Sequence, residues 1–269
     1  MTALLFPGQG SHAAGMDEPW RDGEVIPRGI ELLGYDPFAR LDEGTRFQQP
    51  ALFLCGLAAL EAEPGLHEPA AGAGHSLGEY TALTAAGALD FEDALRLVAL
   101  RGDAMARAGE AAPGGMLALL GAGNGDADEL TRRHRLTIAN DNAPGQLVLS
   151  GAADAIEAAE AEVRERRLRA RKLDVSGAFH SELMVPAAEE LACALAQITI
   201  RPPRFPVYSN GTASPFGNVR AELAANLLRT VRWRETLLAL RARGVERFVT
   251  LGPDKVLNGL VKRTLAVAA

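Results

Sequence analysis

A short apolar run, PAAGAG, leads straight into GHSLG and then EYTALTAA over residues 69–86. Gly74-His75-Ser76-Leu77-Gly78 fits the pattern Gly-x-Ser-x-Gly. That pattern demands a sharp passage from strand to helix. The serine takes a strained backbone conformation, its hydroxyl projects into a cleft, and small residues two positions to either side let strand and helix approach closely. The helix N-terminus then aims backbone N–H groups and a positive dipole end at the reacting oxygen. Such a turn belongs to an α/β layered core, so this stretch restricts the fold more than any other. Taken alone, the motif leaves Ser76 two readings: an activated nucleophile or a helix N-cap.

The rest of the chain fits an α/β pattern. Residues 2–6 (TALLF) read as a buried parallel strand that ends at Pro7-Gly8. Residues 14–46 are rich in Gly, Pro and charge and show no clear period. Residues 49–61 read as a helix with Pro50 at its favourable first position. Residues 77–86 and 91–108 read as two further helices. From Gly114 to Val175 the rhythm changes. GGMLALLG is a strand, DADELTRRH a short helix, and LTIANDN and QLVLSG are strands joined by a turn at Ala143-Pro144-Gly145. AADAIEAAEAEVRERR is an amphipathic helix and RARKLDV a closing strand. The order βαββαβ is the ferredoxin-like arrangement. Afterwards helices are expected at 182–197, 220–229, 233–243 and 255–265, with strands at 205–209 and 246–251. The expected architecture is a hydrolase-like α/β core with a parallel sheet, built from residues 1–112 and 176–269. A ferredoxin-like small domain, residues 113–175, is inserted into it.

Composition bounds the class. With 269 residues, 48% of them hydrophobic, the chain can bury the core of one large domain carrying a smaller one. Lys and Arg number 28 against 34 Asp and Glu, a net charge of −6, which argues against nucleic-acid binding. Cys55 and Cys193 lie in apolar helical patterns with no metal-ligand spacing, so buried reduced thiols and no metal site are expected. The opening MTALLFPGQG is too short an apolar run for a signal peptide and is broken by Pro-Gly. No stretch of about 18 apolar residues is free of charges and breaks, so no membrane span is expected and the cytoplasm is the expected location.

A serine nucleophile needs a base. The five histidines are His12, His67, His75, His134 and His180. His12 and His67 lie in polar stretches and His134 follows a charged helix, so all three are expected at the surface. His75 is adjacent to Ser76, and on a tight turn adjacent side chains point apart. His180, in SGAFHSELM between the small domain and the next helix, is where a cleft residue belongs. The order Ser…Asp…His of ordinary α/β-hydrolases is not met, and no acid stands out as a third member.

The chain resembles the malonyl-CoA:acyl carrier protein transacylases over almost its full length. LLFPGQGSH matches the family's opening motif, GHSLGEYTAL its nucleophile turn, LVALRGDAM its arginine helix and NDNAPGQLVLSG its small-domain hairpin. VSGAFHSELM matches its histidine loop, and NLLRTVRW and LGPDKVLNGLVKR its C-terminal segments. Three departures stand out: residues 14–70 are shorter than the usual span, the final helix stops early, and Asp254 stands where Gly is common.

The resemblance implies a Ser–His dyad. Ser76 is acylated by malonyl-CoA; His180 takes the serine proton and returns it to the departing thiol. It implies an oxyanion hole from the backbone N–H groups of Gln9 and Leu77, with Gly8 and Gly10 letting the chain turn. Arg101 falls at the position that grips the substrate carboxylate, where a planar guanidinium gives a bidentate hold. Arg96 and Arg107 on the same helix are expected to be exposed. Asn226 matches the residue that orients the histidine; an amide or carbonyl acceptor there explains the missing acid. Gln49 matches a cleft position. Phe179, bulky before His180, favours malonyl over methylmalonyl units.

By the same resemblance the partners are malonyl-CoA and a holo-acyl carrier protein, with no permanently bound cofactor, no nucleic acid, no membrane and a monomeric enzyme. The run RERRLRARK, residues 164–172, is the candidate docking surface, and Lys255, Lys262 and Arg263 form a second set. Fatty-acid synthesis is the expected pathway. The alternatives are a discrete acyltransferase of a polyketide synthase or malonate decarboxylase, or a serine hydrolase of malonyl thioesters.

Overall fold

A computed structural model describes residues 1–66 and 68–267; His67 lies outside them. The first strand, β1 (Thr2–Phe6), is followed by α1 (Val25–Leu33), α2 (Thr45–Glu61), β2 (Ala71–Gly74), α3 (Gly78–Ala85) and α4 (Phe91–Ala111). The next stretch holds β3 (Gly114–Leu120), α5 (Asn124–His134), β4 (Thr137–Ala143), β5 (Gln146–Ala152), α6 (Ala153–Glu165) and β6 (Arg169–Lys172). The chain then forms α7 (Val185–Gln197), β7 (Val207–Ser209), β8 (Ser214–Pro215), α8 (Val219–Asn226), α9 (Trp233–Ala242), β9 (Arg247–Thr250) and α10 (Lys255–Val267). No helix of the described residues is long and apolar enough to cross a membrane.

The large sheet has the order β8-β7-β2-β1-β9. β1 pairs in parallel with β2 and β9, and β2 in parallel with β7; only β8 runs antiparallel. A strand covered on both faces must be apolar throughout, and Ala3 to Phe6 are all fully buried. β2 is Ala-Gly-Ala-Gly, with nothing larger than a methyl group. A methyl added at Gly74 would overlap the backbone of Gly78 and Glu79, and one at Gly78 the carbonyl of Phe6. The small residues are what let α3 start against the sheet.

The small sheet is antiparallel, in the order β4-β5-β3-β6. This is the βαββαβ topology read from the sequence. Alternation along β3 sends Leu117 and Leu119 into a core with Ile156 of α6 and Leu130 of α5. Met116 and Ala118, on the other face, join the core of the large sheet's helices. The insert therefore shares its inner face with the main core. Val231 adds backbone hydrogen bonds to Asp141 and Ala139 of β4.

Three expectations change here. Pro50 is not at the first position of its helix: α2 begins at Thr45, after Gly44 with φ +94°, and carries Pro50 in its interior. Packing decides this, because Thr45, Phe47 and Gln49 are all buried and the backbone of Thr45 and Arg46 lies directly against Gly102 of α4. Residues 14–46 contain α1 and short 3-10 turns at Glu18–Trp20 and Phe38–Glu43. Finally, Cys55 is buried, but Cys193 of α7 is exposed.

Candidate active site

Ser76 occupies the passage from β2 into α3 with φ +51°, a left-handed conformation that few non-glycine residues adopt. Its Oγ lies 2.8 Å from His180 Nε2. His180 is itself at φ +58° and is buried. Its Nδ1–H donates to the backbone carbonyls of Asn226 and Arg229, each at 3.0 Å. Two carbonyl acceptors on Nδ1 leave the Nε2 lone pair facing the serine hydroxyl, the tautomer a general base needs. Burial, with the nearby Arg101 charge as the next cause, pushes the His180 imidazole down to about 3. The ring is therefore neutral throughout the physiological range.

Asn226 thus acts on the histidine through its main chain, and the amide side chain points elsewhere. Its Nδ2 donates to Glu79 Oε1 at 2.9 Å and to Ser209 Oγ at 3.0 Å. Asn226 also lies behind the cavity wall and not on it.

Arg101 of α4 is 3% exposed. Its guanidinium donates to Ser76 Oγ at 3.0 Å and to Gln49 Oε1 at 2.6 Å, and sits over the Tyr80 ring at 5.7 Å. Among the described residues it forms no ion pair within 4.0 Å. Its helix neighbours differ: Arg96 pairs with Glu92 and Arg107 with Asp103 and Glu190 at the surface. Gln49, fully buried, is held by Thr45 at 2.9 Å and so positions Arg101 from behind.

Gln9 and Leu77 flank the serine in a cavity of about 400 Å³ that is also lined by Met105, Met116, Asn140 and Phe179. Among the described residues, neither the Gln9 nor the Leu77 backbone N–H donates to another backbone carbonyl or to a side-chain acceptor of the protein. Two free N–H groups beside a nucleophile suit an oxyanion. Gly10, at φ +90°, makes the turn. A side chain at Gly8 would overlap the His75 carbonyl. The Gln9 side chain is tied back to Gln48 at 2.9 Å and Thr45 at 2.6 Å. Phe179, 5% exposed, fills the wall next to His180.

Of the other histidines, His75 does point away from Ser76, with Nε2 2.8 Å from Asn142 Oδ1 and its ring edge-on to Trp233. His134 pairs with Glu162 at 2.7 Å. His12 is half-buried and not on the open surface: it lines both the serine cavity and an adjoining cavity of about 840 Å³, with Nδ1 buried and unpartnered among the described residues. The second cavity is walled by Phe38 to Thr45, the stretch whose sequence showed no period. Two residues that the sequence reading missed also belong to the site. Asn210 accepts from the Ser76 N–H at 2.6 Å, and Glu79, buried beside it, accepts from the Asn210 N–H at 2.7 Å. Burial pushes the Glu79 carboxyl up to about 8.

The basic run also reads differently. Arg164 faces Glu160, Arg166 pairs with Glu129 and Glu162, and Lys172 lies 3.7 Å from Glu157. Arg167, Arg169 and Arg171 form no ion pair among the described residues, and Arg171 lines the serine cavity.

Comparison with known proteins agrees with this geometry. Residues 33–269 match the family described as the acyl transferase domain. The chain is 40% identical over 97% of its length to the malonyl CoA-acyl carrier protein transacylase of Bacillus subtilis, covering 89% of that protein. It is also 40% identical to the polyketide biosynthesis protein ThaF of Burkholderia thailandensis, of which it spans only 24%. A malonyl-transacylase solved in complex with its type II PKS acyl-carrier protein superposes with a TM-score of 0.92 at 34% identity, over 98% of this chain and 93% of that one. A serine held in a strained turn, a neutral histidine within hydrogen-bond reach and an unpaired buried arginine thus sit in a chain that belongs to the acyl transferase family, among its malonyl CoA-acyl carrier protein transacylases.

Proposed function

We propose that this protein moves a malonyl group from malonyl-CoA to the phosphopantetheine thiol of an acyl carrier protein, through an ester on Ser76. The observation that carries this reading is Arg101. A guanidinium 3% exposed, 3.0 Å from the nucleophile and without a carboxylate partner among the described residues, suits an acyl group that ends in a carboxylate. His180 Nε2 accepts the Ser76 proton as Oγ attacks the thioester carbonyl. The N–H groups of Gln9 and Leu77 face the developing oxyanion. The tetrahedral species collapses, the C–S bond breaks, and the imidazolium returns its proton to the CoA thiolate. The carrier thiol then attacks the ester by the same path in reverse, again deprotonated by His180.

Phe179 narrows the cavity next to His180, which supports malonyl over branched units. Arg167, Arg169 and Arg171, without ion pairs among the described residues and with Arg171 lining the serine cavity, are the part of the basic run that fits an anionic carrier. Fatty-acid synthesis is the pathway proposed, and the similarity to the polyketide biosynthesis protein ThaF keeps a polyketide carrier as the second reading. A reduced thiol as acceptor fits the cytoplasm. The catalytic groups all come from one chain, consistent with a monomer of two parts, residues 1–112 with 176–269 and residues 113–175. Intact-mass measurement tests the reading. Malonyl-CoA should add one malonyl mass to the wild type and none to Ser76→Ala, and holo-carrier should discharge it. A labelled Ser76→Ala defeats the proposal, and free malonate in place of malonyl-carrier makes the protein a hydrolase.

A further inference from the structure

The dyad residues are both at positive φ, yet the sequence between and around them has no obvious device to hold them there. The structure supplies one from elsewhere in the chain. Asn210, 1% exposed and just beyond β7, reaches across to the turn. Its Oδ1 accepts the Ser76 N–H at 2.6 Å, and its Nδ2 donates to the Gly74 carbonyl at 2.7 Å. One side chain therefore pins the backbone on both sides of His75. Its own N–H donates to Glu79 Oε1 at 2.7 Å. The same oxygen accepts Asn226 Nδ2 at 2.9 Å, and the Asn226 carbonyl is an acceptor for His180 Nδ1. Glu79 lies three residues after Ser76, and its N–H donates to the Ser76 carbonyl at 3.1 Å. A continuous run of hydrogen bonds thus joins the nucleophile's N–H to the base's far nitrogen, with Glu79 Oε1 as the shared acceptor in the middle.

We propose that Asn210 and Glu79 are positioning residues that hold Ser76 and His180 in register, Asn210 by fixing the serine turn and Glu79 by tying that turn to the loop that orients the histidine. Neither lines the cavity, so neither contacts the acyl donor. The inference rests on the Ser–His reading but not on malonyl as the substrate. It predicts a separation between reaction and binding. Misplacing a reacting group by about 1 Å costs about 10²-fold in rate, whereas substrate affinity, set by Arg101 and the cavity wall, should be unmoved.

The test uses two reactions of the full chain. One is labelling of Ser76 by a small fluorophosphonate, which needs the dyad and no acyl donor; the other is single-turnover acylation by malonyl-CoA. Asn210→Ala and Glu79→Ala should each lose at least about tenfold, and Asn210→Ala about 10²-fold, in both reactions. Malonyl-CoA affinity, measured with Ser76→Ala as background, should stay within about twofold. Glu79→Gln keeps an oxygen acceptor in the same place and should recover most of the rate, whereas Glu79→Leu, of similar bulk but without an acceptor, should not, as a simple packing role would allow. If Asn210→Ala does not fold, Glu79→Ala against Glu79→Gln decides alone. Wild-type labelling rates in folded Glu79→Ala overturn the proposal, as does a parallel loss of rate and affinity. A wild type that reacts with fluorophosphonate but not with malonyl-CoA would defeat the malonyl reading and leave this one standing.

Discussion

Replacing Arg101 probes the substrate assignment most directly. In the free protein its guanidinium has five N–H donors, of which one is given to Gln49 and one to Ser76. On the proposed reading, the incoming malonyl carboxylate supplies the opposite charge. Two unit charges about 4 Å apart attract by about 4 kcal/mol at an effective dielectric of about 20. Desolvating the carboxylate takes back part of this, and charge-assisted hydrogen bonds return about 1.5–3 kcal/mol each. The net agrees with the roughly 3–5 kcal/mol lost when one partner of a buried charge pair is removed. At 1.4 kcal/mol per decade, malonyl-CoA should be preferred over acetyl-CoA by about 10²–10³-fold. Arg101→Ala removes the attraction, and the preference should fall to within about tenfold of unity. Arg101→Lys should recover only part of it, because one ammonium cannot make two parallel bonds. Gln49 keeps its bond to Thr45 in either variant, so the floor of the site stays in place. The assay is kcat/KM for the two thioesters with all three proteins. A wild-type ratio in Arg101→Ala would make Arg101 a structural charge and remove the physical basis of the malonyl assignment.

His180→Ala should lower transfer by about 10²–10⁴-fold, while His75→Ala loses less through chemistry; equal losses would shift the role of base. Because the His180 pKa is depressed to about 3, below its unfolded value of about 6.5, the neutral ring persists into acid. The acid limb of kcat/KM should therefore lie below about pH 5. By linkage, the stability tied to the neutral ring is full above about pH 6.5 and is lost as pH falls toward 3, readable as a falling Tm. Reversing Arg167 and Arg169 to Glu should raise KM for the carrier, with weaker salt dependence, and leave the Ser76 acylation rate by malonyl-CoA within about threefold; unchanged carrier kinetics would return these residues to the solvent. Gly74→Ala forces a methyl into the Gly78 backbone and should cost about 3 kcal/mol, or roughly 6–12 °C in Tm; a variant as stable as wild type would show that the strand and helix can separate.

What could be read from the sequence was what local chemistry writes locally. Gly74, Ser76 and Gly78 announce a turn because only small residues permit it, and the period along β3 to β6 announces a strand-and-helix insert. Arg101 was legible through the motif LVALRGDAM around it. The clamp around the dyad was not legible, since Asn210 and Glu79 are ordinary polar residues whose roles exist only after β7 lies beside β2. Arg229 could not be found, because its contribution is a carbonyl that every residue carries. His12 sat in a polar stretch, and only the close approach of the Phe38–Thr45 wall encloses it. Pro50 misled for the same reason: a local preference for the first helical position yielded to the burial of Phe47 and Gln49 against α4.

The hold on Ser76 also bears on when the enzyme becomes reactive. The clamp joins residues 134 apart and the base lies 104 residues beyond the nucleophile, on the far side of the inserted sheet. Contacts of such separation form late, since loop-closure entropy must be met before they contribute. On the positioning role proposed for Asn210, a growing or truncated chain that ends before it carries GHSLG in full but lacks the side chain that pins the serine turn. Acyl-CoA consumption should then begin only with the folded molecule, and fragments left by proteolysis should lose reactivity with the loss of β7, even where Ser76, His180 and Arg101 all survive on the same piece.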